Sequence, residues 1–94
     1  MQAAIDLDAP IDERALSKLR WGCRRGLLEN DLFVERFFNR HATTLTYRQA
    51  HGLQVLMDLS DNDLLDLLLG RAQAQNELAK PDVVEVLRMM RVPR

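Results

Sequence analysis

The stretch LTYRQAHGLQVLMDL, residues 45–59, carries the clearest helix signal in the chain. Thr46 is followed three residues later by Gln49, the spacing of a capping box, in which each side chain accepts a hydrogen bond from a backbone N–H at the helix start. Apolar residues then recur at the spacing of one helix face, at Ala50, Leu53, Leu56 and Met57. The segment therefore predicts a capped helix with one buried side.

Two more helices are predicted downstream of this one. Ser60 and Asp61 are suited to open a helix, and the run DLLDLLLG ends at Gly70, a residue typical of helix C-termini. Pro81 suits the first turn of a last helix, and Pro93 ends it. Between them the stretch RAQAQNELA predicts a polar connection. The predicted buried positions of the last helix are Val83, Val84, Leu87 and Met90.

Two helices are also predicted upstream. Asp12 is a suitable cap for the first, whose apolar positions are Leu16, Leu19 and Cys23. Gly22 and Gly26 then weaken the helical pattern, so a bend or tight turn is expected there. A second helix follows over about residues 27–40. Its expected apolar stripe contains Leu28, Leu32, Phe33, Phe37 and Phe38.

The pattern as a whole predicts an all-α fold, a small five-helix bundle. No segments alternate with the period of two that marks a half-buried strand. The bundle is expected to form a single domain over residues 12–94, preceded by a flexible acidic segment, residues 1–11. The phenylalanines of the second helix exceed what five short helices easily bury, so we expect a monomer or a weak homodimer.

Composition limits the function. The chain has 94 residues, is 47% hydrophobic and 29% charged, and has a formal net charge of −1. Near-neutrality argues against a nucleic-acid binder, and no apolar run is long enough for a membrane span. One cysteine excludes an internal disulfide. The acidic first residues do not suit a targeting peptide, so the expectation is a bacterial cytoplasm, with a processed mitochondrial protein as the alternative.

The residue types that could carry chemistry are few. His41, His51 and Cys23 match no zinc spacing, so no metal site is expected. The two histidines are expected to be solvated at helix ends, and Cys23 to be a small buried residue rather than a reactive thiol. No catalytic residues are predicted. The acids of the fourth-helix region are expected to form a solvated face with helix-start charges, with docking of a basic partner as the alternative: Asp58, Asp61, Asp63 and Asp66.

The stretch CRRGLLEND, residues 23–31, needs a separate explanation. Gly26 costs a helix interior about 1 kcal/mol relative to alanine, and a surface pair of Arg25 with Glu29 contributes only about 0.3–0.5 kcal/mol. A turn whose glycine lets another backbone approach explains the stretch better. Arg25 and Glu29 would flank that turn as partner contacts, with Trp21 either an aromatic anchor or a core residue. Arg24 and Asp31 are further contacts, unless they serve capping or solvation.

These residues carry a resemblance. WGCRRGLLENDLFVERFF, residues 21–38, resembles the signature of the SdhE family of succinate dehydrogenase flavin-assembly factors, whose hallmark is Arg-Gly-x-x-Glu after a Trp-x-Cys-Arg-like segment. The matching acid two residues further on is Asp31. The resemblance covers about residues 14–92. The five motif positions are Arg25, Gly26, Leu27, Leu28 and Glu29.

The resemblance implies a function. Proteins of this family are five-helix bundles that bind the flavoprotein subunit of succinate dehydrogenase, and in bacteria often that of fumarate reductase. They promote covalent attachment of FAD to a histidine of that subunit and act as assembly chaperones, so neither His41 nor His51 would be catalytic. Arg25 and Glu29 would contact the partner near its flavin, and Gly26→Ala would obstruct docking. No stable binding of FAD by the factor itself is expected.

Three alternatives stay open from the sequence. A generic helical adaptor, similar to an antitoxin, shares the helical pattern but gives no reason for Gly26 between Arg25 and Glu29. A nucleic-acid binder would use the five basic residues between Arg14 and Arg25, and its binding would depend steeply on salt. A thiol enzyme would need Cys23, and alkylation of that residue tests it.

Overall fold

The computed structural model describes residues 6–23 and 27–91, and within these ranges the chain is all α with no strand. Five α-helices follow one another in the predicted order, so the predicted fold class is confirmed. A single 3₁₀ turn, Asn76–Ala79, lies in the predicted polar connection. The helices are α1 Glu13–Gly22, α2 Leu28–His41, α3 Tyr47–Met57, α4 Asp61–Leu68 and α5 Pro81–Arg91.

The predicted caps account for where these helices begin. The carboxylate of Asp12 accepts a hydrogen bond from Ala15 N at 2.7 Å at the start of α1. Thr46 and Gln49 form both bonds of the capping box on α3, each 3.1 Å long. Such side chains satisfy N–H groups that a helix start otherwise leaves without a partner. Local sequence therefore determines the boundaries at which the bundle turns.

The core is centred on α3 and α5, the pair of helices with the most extensive contact. Gly52 allows this close approach, because a Cβ on it would lie 2.5 Å from the carbonyl oxygen of Asp82 and 3.1 Å from Val86 Cγ2. Val84, predicted to be buried, is only half-buried. The buried residues of the two helices are Gly52, Leu53, Leu56, Met57, Val83, Val86, Leu87 and Met90.

The second helix faces the core with a different side from the one predicted. Phe37 and Phe38 are buried as expected, with ring centroids 5.4 Å apart in an edge-to-face arrangement. Leu28 and Leu32, however, are 67% and 48% exposed. The buried face runs instead through Asn30 and Val34, one turn apart, toward the phenylalanines. Because the polar Asn30 lies on the buried face, the apolar pattern of the sequence predicted the wrong face.

The described part of the N-terminal segment contacts the start of α3. Ile11 N donates to Leu45 O at 2.9 Å, and Tyr47 N and Arg48 N donate to the carbonyls of Ala9 and Leu7 at 3.1 and 2.9 Å. No pattern in the sequence predicts these bonds. The predicted division of the chain into a flexible 1–11 segment and a 12–94 domain stays a prediction.

The two histidines differ from the expectation of solvated helix ends. His41 does lie at the end of α2, but it is half-buried with its ring centroid 5.3 Å from that of Phe37. Burial, together with the adjacent Arg40 charge, lowers the pKa of His41. His51 is exposed within α3, and its Nδ1 lies 3.0 Å from a carboxylate oxygen of Asp82 on α5. This hydrogen bond joins the two central helices at their surface.

Candidate partner-binding site

The candidate site lies where α1 ends and α2 begins. Cys23, the last described residue before the junction, is buried, and its N–H donates to Leu19 O at 3.1 Å. This agrees with the prediction of a small packed residue. Leu27 precedes α2 and, having no polar side chain, makes no side-chain cap bond. Arg24, Arg25 and Gly26 lie outside the described residues, so their predicted roles stay predictions.

Trp21 is 71% exposed at the end of α1. The alternative in which it fills the core is therefore wrong. Its ring contributes to a groove of about 380 Å³ between α1 and α2. On the α1 side the groove also contains Arg20, whose guanidinium lies 5.5 Å from the centroid of the buried Phe38 ring. On the α2 side its polar residues are Asp31 and Glu35.

Leu28 and Leu32 form an apolar ridge on the outer side of α2. They lie one helical turn apart, and each residue of a helix advances about 100° around its axis. This spacing places Asp31 and Glu35 on one flank of the ridge and Glu29 on the other. Large apolar side chains beside one another on a surface are typical of binding sites for other proteins. We name Trp21, Leu28, Glu29, Asp31 and Leu32 the junction face.

Glu29 and Asp31 both lie in the first turn of α2. A helix start carries partial positive charge, so acids there stabilise the helix even when no partner is present. Glu29 is exposed, and Asp31 is half-buried at the edge of the groove. The structure thus places three of the six predicted site residues, Trp21, Glu29 and Asp31, on the two elements that flank residues 24–26.

Asn30 is a residue of the site region that sequence reasoning missed. Its side chain is 0% exposed, and its Nδ2 donates to the carbonyl oxygen of Asp61 at 3.0 Å, at the start of α4. Its Oδ1 makes no hydrogen bond with any described residue. A buried acceptor without a donor carries a desolvation cost of about 1–3 kcal/mol. Asn30 therefore ties the first turn of α2 to α4 at some cost in stability.

The described residues contain neither a group of metal ligands nor a membrane-spanning helix. Across residues 6–23 and 27–91, no three His, Cys, Asp or Glu side chains are grouped so that they could hold a metal ion. None of the helices in these ranges combines the length and apolar character needed to cross a bilayer. The expected acidic face contributes to helix starts and pairs: Ser60 Oγ accepts from Asp63 N at 3.2 Å, and Asp66 pairs with Arg71.

Comparison with known proteins identifies a family for the chain. The family model described as "Flavinator of succinate dehydrogenase" matches residues 17–91, which include α1 from its second turn and all of α2 to α5. No solved structure matches the chain.

Individual relatives give the same result. An FAD assembly factor SdhE of Ralstonia nicotianae is 49% identical over 80 residues, 85% of this chain and 84% of the relative. Proteins of the same name from Coxiella burnetii and Legionella pneumophila (strain Lens) are 39% and 35% identical over 62 and 68 residues. These alignments cover 66% and 72% of this chain, and 76% and 86% of the relatives. The chain therefore belongs to the family of succinate dehydrogenase flavinators.

Proposed function

We propose that this protein is an assembly factor that binds the flavoprotein subunit of succinate dehydrogenase and promotes covalent attachment of FAD to a histidine of that subunit. Family membership supports the general role. The observation that carries the proposal to particular residues is the junction face, where Trp21, Leu28 and Leu32 are exposed next to Glu29 and Asp31. An apolar centre flanked by charged groups is the usual composition of a protein–protein contact.

The chemistry of attachment belongs to the partner in this proposal. A ring nitrogen of the partner histidine would bond to the C8 methyl carbon of the flavin, with one proton leaving that carbon and one leaving the imidazole, and the two electrons would leave the attached flavin in its reduced form. Neither histidine of this chain lies at the junction face. His41 is at the far end of α2, about 20 Å along the helix from Leu28 at 1.5 Å per residue, and His51 contacts Asp82.

The factor acts by selecting an arrangement of its partner. A protein that binds one conformation of the flavoprotein more tightly than others shifts the population toward that conformation. If flavin and histidine are in attack geometry there, orientation alone can lower the barrier substantially. The rigid α2 supports this role, because Asn30, Val34 and Phe37 fix one side of the helix in the core while the other side remains exposed. No catalytic residue of this chain is needed.

The proposal also covers a second partner, the retention of FAD, the oligomeric state and the location of the protein. The flavoprotein subunit of fumarate reductase is a second partner, and FAD is not retained by the factor itself. The proposal keeps a monomer or a weak homodimer for the free protein. Burial of Phe37 and Phe38 and half-burial of Phe33, the phenylalanines that suggested a dimer, support the monomer. A bacterial cytoplasm is the proposed location, and the bacterial origin of the named relatives supports the bacterial part of it.

Covalent flavin on the partner tests the proposal. A succinate dehydrogenase flavoprotein subunit is produced without factor, with the native chain, and with Glu29→Ala or Glu85→Ala, a matched exposed glutamate on α5. In-gel flavin fluorescence after denaturation reports only covalent flavin. We expect the native chain and Glu85→Ala to raise the signal, and folded Glu29→Ala to raise it less. No increase with the native chain would overturn the proposal in favour of a generic adaptor.

A further inference from the structure

A second groove, of about 420 Å³, lies between the chain segment after α4 and the last turns of α5. Its walls include Gly70, Gln73 and Ala74 on one side and Arg88 and Arg91 on the other. This groove is separate from the junction face. Asn30, in the first turn of α2, contacts Asp61 at the start of α4. The groove begins beyond the other end of α4, about 12 Å along that helix at 1.5 Å per residue.

No described residue supplies a counter-charge to the two arginines of this groove. They are three residues apart on α5, so they are neighbours on one helix face. Neither forms an ion pair or hydrogen bond with another described residue, and no acid lines the groove. Other cations of the surface do have such partners, as Arg48 has Asp8 at 3.1 Å and Lys80 has Glu77 at 3.0 Å.

Arg91 lies beside the residue that ends α4. Gly70 has φ +77°, the left-handed conformation that ends α4, and a Cβ on it would lie 3.0 Å from Arg91 Nη2. The guanidinium group therefore lies directly over the glycine, at the edge of the groove. Arginines in the last turn of α5 also interact favourably with the helix dipole. That interaction does not explain why the two arginines line a groove.

The opposite wall has free backbone groups. The N–H groups of Arg71 and Ala72 both donate to Asp66 O, at 2.8 and 3.2 Å. The backbone of Gln73 and Ala74 makes no hydrogen bond to any residue that the structure describes. Gln75, the next residue, is extended, with φ −136° and ψ 155°. Backbone donors and acceptors that have no partner among the described residues, next to an extended residue, can pair with another extended chain.

We propose that this groove binds an extended acidic peptide segment of the flavoprotein subunit, with carboxylates on Arg88 and Arg91 and backbone hydrogen bonds to Gln73 and Ala74. Arginine forks match carboxylates in two-point contacts. Only a peptide, and not a simple anion, uses the free backbone wall as well. The identity of the partner rests on the proposed function. A second attachment point would raise overall affinity, because its binding becomes intramolecular once the junction face is engaged.

The first test uses the full chain and a defined probe. A short capped peptide alternating Asp and Thr is titrated into the labelled protein and followed by amide chemical shifts, alongside an Asn-for-Asp peptide and inorganic phosphate. We expect the acidic peptide to shift Gln73, Ala74, Arg88 and Arg91, and Arg88→Ala/Arg91→Ala to weaken it about tenfold. Equal affinity for phosphate, or equal binding by the Asn peptide, overturns the proposal.

The second test uses the flavoprotein subunit. Its affinity is compared for the native chain, Arg88→Ala/Arg91→Ala, and Arg48→Ala/Lys80→Ala, which removes the same charge from paired surface positions. The groove variant should bind about tenfold more weakly with a flatter salt dependence, and the control within about twofold. If the native chain does not bind, the proposed function fails and the peptide titration still decides the groove. Equal binding by native chain and groove variant, both folded, overturns the inference.

Discussion

The contact between α3 and α5 and the junction face use apolar residues in opposite ways. Between α3 and α5, leucines and valines are fully buried and a glycine brings the two backbones together. At the junction face, Trp21, Leu28 and Leu32 are exposed, while an asparagine occupies the buried row of α2. The first region is arranged for stability. The second leaves apolar surface exposed to water. A partner that covers this surface gains about 25 cal/mol for each Å² buried.

The largest expected contrast is between two leucines. Leu53→Ala empties a fully buried position on α3 and should lower the free energy of unfolding by about 2–5 kcal/mol. Leu28→Ala, at the exposed ridge, should change it by less than about 0.5 kcal/mol. Urea unfolding followed by circular dichroism measures both. If Leu28→Ala costs as much as Leu53→Ala, the ridge is structural.

Two glycines sharpen the contrast at the level of the backbone. Gly52→Ala places a methyl group against the α5 backbone, which cannot yield cheaply, and should destabilise by about 1–3 kcal/mol. Gly22→Ala, where a Cβ meets nothing within 4 Å, should stabilise α1 by up to about 1 kcal/mol. Thermal unfolding of the two variants is the measurement. Equal effects would mean that α3 and α5 do not depend on close approach at Gly52.

Asn30 ties α2, the helix that carries most of the junction face, to the start of α4. Asn30→Ala removes its hydrogen bond to Asp61 O and should cost about 1–2 kcal/mol. Asn62→Ala, at an exposed position one residue after Asp61, should cost less than about 0.5 kcal/mol. Denaturant midpoints of the two variants compare them directly. A neutral Asn30→Ala would show that the bond does not hold α2 on α4.

The smallest expected effect is on the pH dependence of stability, through the hydrogen bond between His51 and Asp82. The hydrogen bond from His51 is the main cause that lowers the pKa of Asp82. A lowered carboxyl pKa contributes stability above the unfolded value, and this contribution is lost as pH falls through the folded value. His51→Ala should therefore lower the free energy of unfolding by a few tenths of a kcal/mol above about pH 5, and the difference from native should shrink as pH falls from about 4 through the folded pKa of Asp82. A difference that stays constant across this fall in pH would assign the effect to packing.

Much of the fold follows from local sequence. Asp12, Thr46 with Gln49, and Ser60 each predict a helix start that forms as expected. The face of α2 could not be predicted, because Leu28 and Leu32 fit an apolar stripe better than Asn30 does. Their exposure depends on tertiary packing. The bonds of residues 7–11 with residues 45–48 were equally hidden, since long-range backbone pairing leaves no periodic pattern.

The sequence predicted where in the chain the site lies, but not which side chains form its exposed surface. The glycine between Arg25 and Glu29 predicted a turn, and the structure puts Trp21 on the helix before residues 24–26 and Glu29 and Asp31 on the helix after them. The ridge was missed because burial, not residue type, distinguishes a docking leucine from a core leucine. The groove at Arg88 and Arg91 was missed for a related reason, because the missing counter-charges become visible only when the neighbours are known.

Flavoprotein affinity measured together with unfolding is the most direct test that the junction face is a docking surface. The pair Trp21→Ser/Leu28→Ser is compared with Leu7→Ser, another exposed apolar position, on the same preparations. We predict that the pair weakens binding more than about tenfold while its unfolding free energy changes by less than about 1 kcal/mol, with Leu7→Ser binding as the native chain does. Native affinity in a folded Trp21→Ser/Leu28→Ser variant would contradict the account.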